Sequence, residues 1–132
     1  MKILLDECVT KRLKQHLKEY EIFTVTEMRW NGLKNGKLLA ACVINNFDIL
    51  LTIDKNLMYQ QNLEKYELSI VVLNSTTSKI EELVHFIPSL KRQVNNLASN
   101  GIKKLSLIRV SKIATLDKSL ALGKSVPLTQ AK

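Results

Sequence analysis

Residues 2–7, Lys2-Ile3-Leu4-Leu5-Asp6-Glu7, and residues 48–54, Asp48-Ile49-Leu50-Leu51-Thr52-Ile53-Asp54, each carry a short apolar run into an acid. Neither run alternates apolar with polar positions. That is the pattern of a strand covered on both faces, as in parallel sheets. Ligands of open α/β sheets lie outside the carboxyl ends of the strands, near the point where strand order reverses. If these two strands are neighbours there, Asp6 and Asp54 face one crevice. Two carboxylates held together repel unless a cation or a proton lies between them. Magnesium, which takes oxygen ligands from one or two carboxylates, suits such a pair.

Outward from these runs, the period of the sequence switches repeatedly. Thr10 caps an expected helix over residues 10–20, with Leu13 and Leu17 on one face and Lys11, Lys14 and Lys18 towards water. Ile22, Phe23 and Val25 form a β-rich segment. A loop with two glycines and two asparagines, residues 29–36, leads into a helix expected over residues 37–46. After Asp54, a short helix is expected over residues 57–65, then a buried strand over residues 68–73. The apolar spacing of residues 80–97 predicts one helix or two, with Pro88 setting a kink or a fresh start near Ile87. Residues 105–110 alternate more, which suits an edge strand. The order βαβαβαβαβ predicts an α/β fold: a mainly parallel sheet with helices on both faces and right-handed crossovers. Residues 1–110 read as one domain, and residues 111–132 as a basic tail or arm.

Composition narrows the classes of function. The 132 residues are 45% hydrophobic, enough for one domain with a core. The longest apolar stretch, residues 38–44, is too short to span a bilayer, and Asp6 interrupts the N-terminal apolar run, so neither a membrane span nor a secretory signal is expected. Cys8 and Cys42 form no metal or disulfide spacing, which fits reduced thiols in the cytoplasm. The net charge of +8 is uneven. Residues 101–132 hold seven Lys and Arg against one Asp, leaving +2 for the first hundred residues. Such a surface attracts polyanions, nucleic acid above all, although lysines also serve solubility alone.

Several side chains could carry chemistry at the crevice. Asp6 and Asp54 are candidate metal ligands; Glu7 points away from Asp6 if the strand alternation continues, or comes back towards it if the chain turns there. Thr52 and Asp54, two apart, project to one side, so the hydroxyl could orient the carboxylate or a water. Asn56 offers a neutral oxygen or shapes a turn. Lys11, Arg12 and Lys55 could guide a phosphate backbone, and Gln60 and Gln61 could read bases or phosphates. The Arg29-Trp30 pair could stack on an unpaired base or cover a core edge. His16 and His85 show no ligand spacing, and no Ser-His-Asp order, Walker A loop or dinucleotide fingerprint is present.

Residues 2–8, the Trp30-Asn31-Gly32-Leu33-Lys34-Asn35-Gly36 loop, residues 51–57 and the Gln60-Gln61-Asn62-Leu63 run together resemble the compact PIN-like proteins of the DUF5615 type. The likeness covers roughly residues 1–97. It implies a three-layer α/β/α sandwich and a Mg2+- or Mn2+-dependent endoribonuclease, the toxin of a bacterial toxin–antitoxin pair. It also implies a small antitoxin as partner and makes a homodimer plausible. Carried over by position, it makes Asp6 and Asp54 the metal-binding carboxylates, with Thr52 and Asn56 beside them. Relatives carry glutamate directly after the Asn-Gly turn; here Lys37 stands there. A lysine at a metal position opposes the cation. Attenuated activity ranks first among its readings; substitution by Glu7 and direct contact of Lys37 with the scissile phosphate are the others. Two alternatives accompany the nuclease. One is an inactive PIN-like module that binds RNA or a partner. The other is a receiver-like domain that accepts phosphate on Asp54, with Ser75 or Thr76 as its switch hydroxyl.

Overall fold

A computed structural model describes residues 1–55, 68–100 and 106–110. Five strands, β1 (Lys2–Leu5), β2 (Glu21–Thr24), β3 (Ile49–Thr52), β4 (Ser69–Leu73) and β5 (Ser106–Val110), form one sheet in the order β2-β1-β3-β4-β5. Every pairing is parallel, with Leu5 opposite both Thr24 and Leu51. Helix α1 spans Asn35–Ile44, α2 spans Ile80–Leu83 and α3 spans Ile87–Asn100. The chain is an α/β protein, as its sequence pattern predicts. The expected helix over residues 57–65 lies outside the described residues, as does the tail.

The unalternating strands are buried on both faces because successive residues enter two different cores. Ile3, Leu5, Ile49, Leu51, Val71 and Leu73 pack with Leu13, Leu17, Leu83, Phe86, Leu90 and Val94. Leu4, Leu50, Ile70 and Val72 pack on the other face with Leu38, Leu39, Cys42 and Phe47. One face is thus covered by α2, α3 and the segment after β1, the other by α1. The crossovers β2→β3 and β4→β5 advance in the same direction along the sheet yet pass over opposite faces. They are therefore of opposite hand, and one departs from the expected right-handed rule. The physical reason is coverage: the β1→β2 connection is too short to shield its whole face, and the apolar stripe of α2 and α3 completes it.

That connection is also where the first helix differs from expectation. Thr10 does cap it, its hydroxyl accepting the Arg12 N–H at 3.2 Å, but Lys11–His16 form a 3₁₀ turn of six residues. Six residues at about 2.0 Å each span about 12 Å, close to the four-residue strand they must run back along, whereas an α-helix of that length spans about 9 Å. The break expected near Pro88 is present: a 3₁₀ turn, Val84–Phe86, separates α2 from α3, which leaves Pro88 in the first turn of α3 where its missing N–H costs nothing.

Two Schellman closures fix the remaining turns. After α1, Phe47 N–H bonds Cys42 C=O and Asn46 N–H bonds Val43 C=O, with Asn46 at φ 65°. After β2, Trp30 N–H bonds Val25 C=O and Arg29 N–H bonds Thr26 C=O, with Arg29 at φ 63°. Both are the paired bonds that end a helical turn through a left-handed residue. In both, the residue after it (Phe47, Trp30) packs into the core face that holds α1, and their rings meet edge-on at 5.9 Å.

Candidate functional site

Strands β1 and β3 are neighbours, and the strands that follow them, β2 and β4, lie on opposite sides. Such a reversal leaves a crevice outside the two carboxyl ends. A cavity of about 270 Å3 occupies it, lined by Asp6, Glu7, Cys8, Leu33, Leu38, Ile53 and Asp54. The structure therefore brings the two strand-end acids together, and Glu7 with them.

Asp6 is held from three sides. Its backbone N–H continues the ladder to Leu51 C=O at 2.9 Å, which fixes the main chain at the rim. The Thr52 hydroxyl donates to Oδ2 at 2.7 Å, the Cys8 thiol donates to the same oxygen at 3.6 Å, and Oδ1 accepts the Glu7 N–H at 2.8 Å. Thr52 is fully buried and also accepts the Asp54 N–H at 2.9 Å. One hydroxyl thus ties the carboxylate that ends β1 to the backbone that leaves β3. The sequence pairs Thr52 with Asp54; the structure aims its proton at Asp6 instead.

Glu7 returns because the chain turns sharply after β1, with Val9 N–H bonding Asp6 C=O at 2.9 Å. The Glu7 carboxylate accepts the Gly32 N–H at 2.9 Å. Gly32 has φ 86°, a conformation that glycine adopts without penalty, so the loop can present its N–H here. Leu33 and Leu38, on either side of the start of α1, form the apolar wall of the cavity. Lys37, in the first turn of α1, is exposed and is not among the residues that line the cavity.

Cys8 is the residue that sequence reasoning missed. It stands two positions after Asp6, the same spacing that singled out Thr52 and Asp54, and its sulfur lies 3.4 Å from Thr52 Oγ1. Burial, opposed in part by hydrogen bonds from Thr52 and Ile53, raises its thiol above the ordinary range, so it serves as a neutral donor at neutral pH. Cys42, on the buried face of α1, is pushed up to about 12 by burial first and the Asp6 charge second.

The other expected residues are more scattered. Lys11 and Arg12 are exposed on the 3₁₀ turn. Lys55 donates from Nζ to Ser75 C=O at 2.7 Å, joining the ends of β3 and β4. Arg29 is exposed, and Trp30 is half-buried against Phe47, covering a core edge. Asn56, Gln60 and Gln61 lie outside the described residues.

Among the described residues, no group of three His, Cys, Asp or Glu side chains is placed to hold a metal ion. The donors at the crevice fit one hydrated Mg2+ or Mn2+ on one or two carboxylates, because hard oxygens and retained waters satisfy such an ion. They do not make the three- or four-carboxylate set that two metals need. No family model, curated protein or solved structure matches the chain.

Proposed function

We propose that the protein is a metal-dependent endoribonuclease whose centre is the Asp6–Asp54 crevice. The observation that carries this reading is the shared hydroxyl: Thr52 orients Asp6 while anchoring the backbone of Asp54. A carboxylate fixed in this way is pre-organised for a cation rather than free to turn to solvent. Mg2+ or Mn2+ held there supplies activation of water and charge neutralisation at a phosphoryl group. Asp6 and Asp54 bind the ion, Thr52 and Cys8 set the angle of Asp6, and Gly32 keeps Glu7 at the rim as a further acid. Leu33, Leu38 and Ile53 limit water at the site. Lys37, exposed in the first turn of α1, lowers activity by opposing the cation. In the same proposal the protein is a toxin restrained by a small partner protein, and it works in the cytoplasm. No helix among the described residues is long and apolar enough to cross a membrane.

Cleavage of end-labelled single-stranded RNA with Mn2+ tests the reading. Asp6→Asn should abolish cleavage, and Lys37→Glu should raise it. Cleavage by the Asp6→Asn protein at the native rate would refute the site assignment. If neither the native chain nor Lys37→Glu cuts but both bind RNA, the non-catalytic binding module is the better description.

One observation favours a second reading. The order β2-β1-β3-β4-β5 with an aspartate after β3 suits a phosphate-accepting receiver domain. Of its two candidate switch hydroxyls, Ser75 is committed elsewhere: it is buried, donates to Thr77 C=O at 2.7 Å and accepts the Thr77 N–H at 3.2 Å, which leaves the exposed Thr76 for that role. Incubation with acetyl phosphate and Mg2+ separates the two, since only a receiver gains a phosphoryl group on Asp54.

A further inference from the structure

We propose that the larger groove beside the acid crevice is a binding track for a single-stranded polynucleotide, with Lys11 and Arg12 as its phosphate ligands. The inference deepens the nuclease reading and rests on it for the direction of the strand, which runs from the cations to the acids. The groove has a volume of about 750 Å3 and lies between the Lys11–His16 turn and the Thr24–Glu27 turn. Asp6 and Glu7 line both this groove and the acid crevice, so the two adjoin at these acids. Pockets of about 300–1,000 Å3 enclose ligands of drug size. That suits a few nucleotides of one strand.

Charge within the groove is sorted. Lys14 Nζ lies 2.8 Å from Glu27 Oε2. Glu27 also closes a reciprocal cap with Thr24, accepting its N–H at 2.9 Å and donating its own N–H to the Thr24 hydroxyl at 3.0 Å. The Lys14 hydrogen bond first, then that backbone bond, hold the Glu27 carboxyl below the usual range. This pair is internally neutralised. Lys11 and Arg12 are exposed and, among the described residues, neither is paired with an acid. The Thr10 cap sets the first turn from which both project. Gln15 adds a neutral donor and acceptor on the same wall. Among the described residues no aromatic ring lines the groove, so recognition there falls on the backbone. Binding in the track is therefore salt-sensitive and indifferent to sequence.

The test is anisotropy of a fluorescein-labelled single-stranded RNA of mixed sequence, titrated with the full chain in EDTA across a salt series. Lys11→Gln/Arg12→Gln should flatten the slope of log K against log salt by about 1.4, at about 0.7 for each lost single-strand phosphate contact. The charge-matched control Lys18→Gln/Lys91→Gln, outside the groove, should leave the slope unchanged. Glu27→Gln should release Lys14 and steepen the slope by up to about 0.7. An unchanged slope in Lys11→Gln/Arg12→Gln, or a flatter one in Glu27→Gln, overturns the proposal. So does displacement of the RNA by polyglutamate at equal charge, which would mark an acidic-peptide site. Because EDTA removes the metal, these outcomes are independent of cleavage. Loss of the nuclease reading would show instead as Asp6-independent cleavage or none.

Discussion

Thr52 has no exposed surface, yet its hydroxyl bonds to Asp6 and from the Asp54 N–H both serve the crevice. Thr52→Val keeps the shape and removes both, so the Asp54 N–H loses this acceptor and Asp6 Oδ2 keeps only the long contact from the Cys8 thiol. Thermal or urea unfolding should show a loss of about 1–3 kcal/mol, and Thr52→Ser should restore most of it. Removal of a group that orients a ligand typically costs about 10–100-fold in metal affinity, so the same pair of variants titrated with Mn2+ separates positioning from simple stability. Cys42 makes a pH prediction. Its thiol is pushed up to about 12 in the folded chain, above its ordinary value of 9.0, so the unfolded chain releases this proton first. Stability from this group is complete below pH 9 and is lost as pH rises towards 12, at up to about 1.4 kcal/mol per pH unit. Urea midpoints measured across the alkaline range should fall, and Cys42→Ala should flatten that fall.

At the scale of the element, the two helical closures differ in how well their residue suits the left-handed region. Asn46 tolerates it; Arg29 carries a long side chain at φ 63° where glycine is the usual choice. Arg29→Gly should raise stability by about 1 kcal/mol, while Asn46→Gly should change it by less, both read from urea unfolding. A gain from Arg29→Gly accompanied by weaker RNA binding would mean that the cation is retained at a cost to the fold. The β1→β2 connection teaches the complementary lesson. Its apolar spacing, Leu13 and Leu17, reads as a helix face, and both residues are indeed buried. Period alone does not distinguish an α-turn from a 3₁₀ turn over six residues. The distance to be spanned does.

For the whole molecule, the sheet divides the interior into two cores, and successive residues of one strand belong to different ones. Leu4 on β1 and Leu73 on β4 lie on opposite faces, with β3 between them. Leu4→Ala and Leu73→Ala should each cost about 2–5 kcal/mol, and with no shared partners their effects should add within about 0.5 kcal/mol. Chemical denaturation of the two single variants and the double variant checks this. A large coupling would show that the two faces respond as one core. The double variant should stand near the limit of folding, since domains of this size hold about 5–15 kcal/mol in total.

The apolar runs of Ile, Leu and Val in β1, β3 and β4 were legible as strands of a parallel sheet, because a strand buried on both faces leaves little room for alternating polar side chains. The acids that end two of them were legible as a candidate site for the same reason: a carboxylate leaving such a strand must stop at its rim. Pro88 marked the break between α2 and α3 through a backbone hydrogen bond it cannot make. Other features are contacts between residues distant along the chain, and the tertiary structure decided them. The aim of Thr52 at Asp6 depends on the register that sets Leu5 beside Leu51. The return of Glu7 depends on a loop that presents the Gly32 N–H. The entry of Cys8 into the site depends on the turn after β1, and the face taken by α2 and α3 depends on what a short connection left uncovered. Local pattern encodes which residues are buried and where the chain must turn. Pairing register and competition for a sheet face arise only when the whole chain has closed on itself.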